Sequence, residues 1–283
     1  MLATSVTNAE QTRTFAANRA TGHIALSVSA HAGITRRTRV HEDGSLRVRF
    51  PNATPQALEA VLVNTGGGMT GGDHFSIELA VGEGASLIFG TAAAEKIYRS
   101  TGVDADMDVR LSLEQNSRLA WLPQETILFD RARLKRRIDI DLASGASLIM
   151  AEAVVFGRAA MDEAMANGFF SDAWRIRRDG KLIYADTARL DGAIAAKMAE
   201  RAVTNGGIAI ATVLIAPGGD AALEQVRALS ETLESGFLGE VGISAWNGLA
   251  VARLCAKDGA ALRHDLIAVL AALGTPVPRL WLQ

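Results

Sequence analysis

Gly84-Ala-Ser-Leu-Ile-Phe89, Asn116-Ser-Arg-Leu-Ala-Trp121 and Gly145-Ala-Ser-Leu-Ile-Met150 are one segment written three times along the chain. Their central leucines, at 87, 119 and 148, recur about every 30 residues, a period that marks stacked structural coils. Before each copy stands a run of alternating apolar and polar residues, Phe75 to Val81, Met107 to Leu113 and Ile138 to Leu142, followed by a short turn. Alternation of period two is the signature of a half-buried strand, so the repeated unit is a pair of strands rather than a pair of helices. The fold class that follows is mainly β, a stacked, β-helix-like or solenoid arrangement of strands with about two α-helices. Leu46, Val48 and Phe50, alternating with arginines, extend the strand pattern toward the N-terminus. Helices are predicted over Ala221 to Glu234, with Asp220 as cap and Gly236 as stop, and over Ala260 to Leu273, ended by Gly274 and Pro276.

Nothing in the 283 residues reads as a linker, so residues 21–283 are expected to form a single domain, and the polar stretch 1–20 a disordered arm. The longest apolar run, Ile208 to Ala216, is far short of the roughly 20 residues that span a bilayer, and the start has no hydrophobic block of a signal peptide. A cytoplasmic protein is expected. One cysteine, Cys255, excludes an intrachain disulfide framework and reads as a small buried hydrophobe. A formal charge of −2 gives no reason to expect nucleic acid. Hydrophobic residues make up 49% while aromatics are only 5%, and mean hydropathy is +0.16. Such a chain can bury a broad aliphatic core, or leave apolar surface for a permanent partner; composition alone leaves both readings open.

Asn64 to Asp73 is a glycine cluster. Gly66, Gly68 and Gly71 satisfy the letters of a dinucleotide fingerprint, but that fingerprint works where the glycines open a helix facing the pyrophosphate. Here Phe75, Ile77, Leu79 and Val81 alternate with Ser76, Glu78 and Ala80, which predicts a strand. No Gly-Lys-Ser/Thr triplet is present to make a P-loop. A glycine-rich turn between two strands is one reading; a small-molecule or nucleotide-binding enzyme built around the Gly66–Gly72 cluster is the alternative.

Asn-Thr-Gly-Gly-Gly-Met-Thr-Gly-Gly-Asp at 64 to 73, Ala-Glu-Lys-Ile-Tyr-Arg-Ser at 94 to 100, Trp-Leu-Pro-Gln-Glu-Thr-Ile-Leu-Phe-Asp at 121 to 130 and Val-Phe-Gly-Arg at 155 to 158 resemble the signature segments of the UreD/UreH family of urease accessory proteins. Trp174 to Gly180 and Ser244 to Leu249 continue the resemblance. Gly67 and Met69 stand where Ala and Leu are expected, without removing a chemical group. The resemblance implies a mostly β stack with few helices. It also implies a non-catalytic assembly factor that binds apo-urease, recruits the UreF and UreG accessory proteins and helps nickel reach the buried active site, with no tightly bound cofactor and nickel only in transit. Within these segments Gly66, Gly67, Gly71, Gly72, Asp73, Lys96, Tyr98, Arg99 and Arg158 are the partner-contacting or loop-shaping candidates.

The threefold echo places three carboxylates in similar positions, Glu95, Glu125 and Glu152, each followed by an apolar pair after its repeated strand. Coils stacked about 4.8 Å apart would bring them together, a costly arrangement unless Lys96, Arg99 or a divalent metal lies between. Solvated or salt-bridged glutamates are the other reading, favoured by the unequal offsets from leucine to glutamate. With Asp130 these three form the candidate nickel path; Asp73 and Asp130 also suit turn caps. His23, His31, His41, His74 and His264 have no metal-ligand spacing, so no tight metal site is expected. The run Arg131 to Arg137 puts Arg131, Arg133, Lys135 and Arg137 on one face of an extended segment, either solvated or facing an acidic partner. No nucleophile elbow or Cys–His pair supports a hydrolase.

Overall fold

A computed structural model describes residues 19–282 apart from 52–56, 159–160, 162, 234–235 and 276. The expected arm at 1–20 lies outside the described residues except for Arg19 and Ala20. Chain order runs β1 (Thr21–His31), β2 (Ile34–Gly44), β3 (Leu46–Arg49), β4 (Leu58–Asn64), β5 (His74–Val81), β6 (Ser86–Thr91), β7 (Glu95–Ile97), β8 (Ala105–Leu113), β9 (Arg118–Leu122), β10 (Thr126–Leu128), β11 (Arg133–Leu142), β12 (Ser147–Arg158), β13 (Glu163–Ala164), β14 (Gly168–Arg178), β15 (Lys181–Gly192), helix α1 (Ile194–Ala199), β16 (Ala209–Ala216), α2 (Asp220–Thr232), β17 (Glu240–Trp246), β18 (Leu249–Ala256) and α3 (Gly259–Ala272).

Through the repeats, from β4 to β14, the chain passes back and forth between two sheets. One has seven strands in the order β15-β14-β11-β8-β5-β1-β2; the other has eleven, with the main path β17-β18-β16-β12-β9-β6-β4-β3 and β7, β10 and β13 alongside. β1, β5, β8, β11 and β14 pair in parallel, as do β4, β6, β9 and β12. Parallel neighbours from consecutive repeats are what a stack of coils produces. The central leucines of the echo are direct partners: Leu87 lies opposite Leu119 and Leu119 opposite Leu148. The fold is thus the stacked β architecture expected.

Parallel strands must be covered on their buried faces. The inner faces of the two sheets enclose one aliphatic core, with Leu87, Leu119, Leu148, Val109 and Ile138 among its members. The outer face of the eleven-stranded sheet carries a second core under α2 and α3, including Leu122, Val155, Val213, Leu254, Leu262 and Leu266.

The helices differ from expectation at their ends and in number. Among the described residues there is a third, α1, whose six residues bury only Ile194 and Met198, too short a pattern to stand out by periodicity. Gly219, in extended conformation, precedes α2, so Asp220 is its first helical residue rather than its cap. The expected end at Glu234 and the stop residue Pro276 lie outside the described residues. Asp258 caps α3, accepting from Ala261 N at 2.8 Å. Cys255 is half-buried on an inward-facing position of β18, where it lines a cavity instead of filling the core.

Candidate functional site: a converging end face and a buried polar row

The glycine cluster links β4 to β5, and no helix follows it; the geometry that a nucleotide fingerprint requires is missing. What the loop does instead is dock on the other conspicuous segments. Met69 N donates to Lys96 O at 2.7 Å and Tyr98 N to Met69 O at 2.7 Å, Thr70 Oγ1 donates to Arg99 O at 2.9 Å, and Tyr98 OH donates to Gly67 O at 3.0 Å. Tyr98 then meets Phe129 edge to face, with ring centroids 5.0 Å apart, and the Arg158 guanidinium lies 4.1 Å above the Phe129 ring. Arg158 also pairs with Glu163, whose other oxygen accepts from Asp130 N at 3.0 Å. Four segments from 64 to 158 form one continuous face at the strand ends, along one side of the stack where successive coils turn from one sheet to the other; this is the end face.

Within that face the loop residues act by shape. Gly67 and Gly72 have φ of +74° and +90°, and a Cβ at Gly71 would collide with Ser100 and the carbonyl of Val103. Gly66 has no positive φ, and the nearest atom to a Cβ there would be in the Asn64 side chain, at 3.2 Å. Asp73 is buried and accepts from Ala20 N at 2.8 Å and Thr70 N at 2.7 Å, a capping role. Asp130 likewise accepts from Asn167 N at 3.1 Å. Lys96 and Arg99 take part through their backbone.

The three glutamates are not brought together. Glu95 lies opposite Thr126, and Thr126 opposite Val154, so Glu125 and Glu152 are out of step with Glu95 and with each other. Adjacent residues of a strand point to opposite faces. Glu125 accordingly faces the helices, where Arg263 of α3 donates to both its oxygens at 2.8 and 2.6 Å. Glu95 faces inward and accepts from Asn64 Nδ2 at 2.9 Å; burial raises its carboxyl to about 7. Among the described residues no cluster of three or more metal-ligating side chains forms. The basic run is neutralised in part rather than open: Arg133 meets Asp104 at 2.7 Å and Arg137 meets Asp108 at 2.9 Å.

Glu152 sits in the middle of the core between the sheets. Arg136 of β11 donates to Glu152 Oε2 at 2.5 Å and, through Nε and Nη2, to both oxygens of Asp172 on β14 at 3.0 and 2.6 Å. Trp121 Nε1 donates to Glu152 Oε1 at 2.6 Å. All three charged side chains are buried, and the site carries two carboxylates for one guanidinium. Burial pushes the Glu152 carboxyl up, against the pull of Arg136. A polar row continues from it across the sheet: Glu152 lies opposite Thr212, Thr212 opposite Arg253 and Arg253 opposite Gly242. Arg253 reaches back to the other sheet and donates to Asp186 at 2.6 Å. A small chamber of about 40 Å³ lined by Arg136, Glu152, Asp172 and Asp186 lies beside an outer cavity of about 570 Å³ lined by Asp186, Glu240, Arg253 and Cys255.

The profile of the UreD urease accessory proteins matches residues 20–282. A urease accessory protein UreD of Rhodopseudomonas palustris strain HaA2 is 57% identical over 277 residues, covering 98% of each chain. One from Bradyrhizobium diazoefficiens is 53% identical over 269 residues, covering 95% of this chain and 96% of its own. This chain belongs to the UreD family. Four of the six segments that carry the resemblance, those between 64 and 158, are the ones that meet on the end face.

For a UreD family member, the residues that sequence reading missed are Arg136, Asp172, Asp186 and Arg253. The signal for the first was present: in Leu134, Arg136, Ile138, Ile140 and Leu142, an arginine occupies the inward parity of an amphipathic strand. A buried guanidinium needs buried carboxylates. Which ones could not be read, because Glu152 and Asp172 belong to other strands.

Proposed function

We propose that this UreD family chain is a non-catalytic assembly factor that docks on apo-urease with the UreF and UreG accessory proteins, as an obligate member of that complex in the cytoplasm, and assists nickel insertion into the urease active site. The observation that carries this reading is the end face. Four segments scattered over about a third of the chain converge there, and their joint product is a loop-shaped surface with a partly exposed Tyr98 and an arginine stacked on Phe129. Aromatic and arginine side chains at a rigid surface are the usual anchors of a protein interface.

Nickel enters this reading as cargo. An ion moving through protein needs oxygen ligands in place of its water, and Glu152 and Thr212 of the polar row offer them in a core that is otherwise largely apolar. Of the four candidate carboxylates, Glu95 and Glu152 share the inward face and are the ones proposed to line the route. Glu125, held by Arg263 on the helix side, and Asp130, capping a turn, act in shape.

The test is co-purification of the full chain with UreF, UreG and apo-urease, paired with nickel analysis of the urease. Tyr98→Ala should fold, yet recover less complex and less nickel-loaded urease. Normal nickel loading by a chain that forms no complex would overturn the docking role.

A further inference from the structure

The outer cavity and the inner chamber share Phe170, Asp186, Ala188, Ile210, Ala211 and Thr212 in their walls. At their boundary stands one ion pair. Asp186 of β15 accepts from Arg253 Nη2 at 2.6 Å and from Tyr184 OH at 3.1 Å, so the pair ties the edge strand of the seven-stranded sheet to β18 of the other. Arg253 lines only the outer cavity, whereas Asp186 lines both. An ion entering the outer cavity, which Glu240 and Arg189 also line, passes the Arg253–Asp186 pair before it reaches the carboxylates of Glu152 and Asp172.

We propose that Arg253 is the entry-controlling residue of this passage: docked on Asp186, it cancels that carboxylate's attraction for divalent cations and holds them in the outer cavity, and its release from Asp186 gives them access to the buried carboxylates. The proposal rests on reading the polar row as the nickel route. Two features argue for a closure rather than a simple strut. The pair is half-exposed, with side-chain accessibility of 60% for Arg253 and 38% for Asp186, so separating it exposes both groups to water at modest cost. The deeper group of Arg136 with Glu152 and Asp172 is buried and already fastens the two sheets.

The experiment uses the full-length chain, nickel ions and tryptophan fluorescence. Trp174 lines the inner chamber and Trp121 holds Glu152, so quenching of buried tryptophan reports the arrival of nickel there. Arg253→Gln should speed that quenching about tenfold or more, the effect of removing one unit charge at close range, while Arg253→Lys, which keeps the charge, should stay near the parent rate. Acrylamide, an uncharged quencher, separates a charge barrier from a loosened fold: its quenching should not change. Should Arg253→Gln fail to fold, Arg253→Met, which keeps the aliphatic stem, carries the same expectation. Unchanged nickel quenching, or an equal rise for nickel and acrylamide, would overturn the proposal. These readings concern entry alone. Nickel content of urease matured with Glu152→Gln tests the route itself, so a failure of either idea is recognisable without the other.

Discussion

Arg136 and Glu152 join the two sheets through the centre of the core, the guanidinium of one strand donating at 2.5 Å to a carboxylate of the facing sheet. Both are buried, and Arg136 is the only cation in direct contact with Glu152 and Asp172 among the described contacts.

Arg136→Met should therefore lose about 3–5 kcal/mol of stability, since two buried carboxylates are left without a counter-charge. Glu152→Gln should cost less, about 1–3 kcal/mol: the Arg136–Asp172 pair survives, but the amide can accept from only one of the two donors, Arg136 and Trp121, that Glu152 now satisfies. Urea denaturation orders the two variants. An Arg136→Met protein as stable as the parent would show that the triad does not hold the sheets together.

Glu95 gives stability a pH dependence. Its folded carboxyl is raised to about 7 from an unfolded 4.5, so between these values the folded state binds more protons than the unfolded one. Stability contributed by the protonated form is present below 4.5 and lost as pH climbs through about 7, with a slope of at most about 1.4 kcal/mol per pH unit. Glu95→Gln should flatten that stretch of the profile. Denaturant midpoints of both proteins at several pH values make the comparison, and parallel profiles would remove Glu95 from the account.

Gly71 and Gly66 should respond differently. A side chain at Gly71 collides with Ser100 and the carbonyl of Val103, so Gly71→Val should cost more than about 1 kcal/mol and disturb the end face. Gly66→Ala, in an ordinary conformation with its nearest neighbour at 3.2 Å, should leave thermal stability within a degree or two. Equal effects at the two positions would mean that crowding is not what matters in this loop.

Leu266 of α3 is buried with Leu262, Val269 and Leu270 under the eleven-stranded sheet. Leu266→Asp places an unpaired charge there and should abolish soluble, folded protein. A soluble variant with the parent's melting temperature would show that the helix is dispensable for the fold.

The sequence by itself determined the architecture, because the stack is a local rule repeated. Each alternating run chooses its inward face from its own residues, and the echo sets the register, so that Leu87, Leu119 and Leu148 fall opposite one another. Family membership was legible for the same reason: its segments are contiguous words. The helix boundaries were read to within a residue or two, while α1 carried too few apolar positions to be seen. The grouping of charges was another matter. Glu95, Glu125 and Glu152 look equivalent along the chain, but a one-residue difference in register turns Glu125 to the helices and leaves Glu95 facing inward. Arg136 could be recognised as an anomaly on an apolar face; its partners Glu152 and Asp172, 16 and 36 residues away, and the meeting of Arg253 with Asp186 across 67 residues were decided only when the two sheets faced each other. Hydrophobic period acts within a strand and survives in the sequence, whereas a buried charge is neutralised by whatever the opposite sheet presents to it, and that is fixed by how the layers pack.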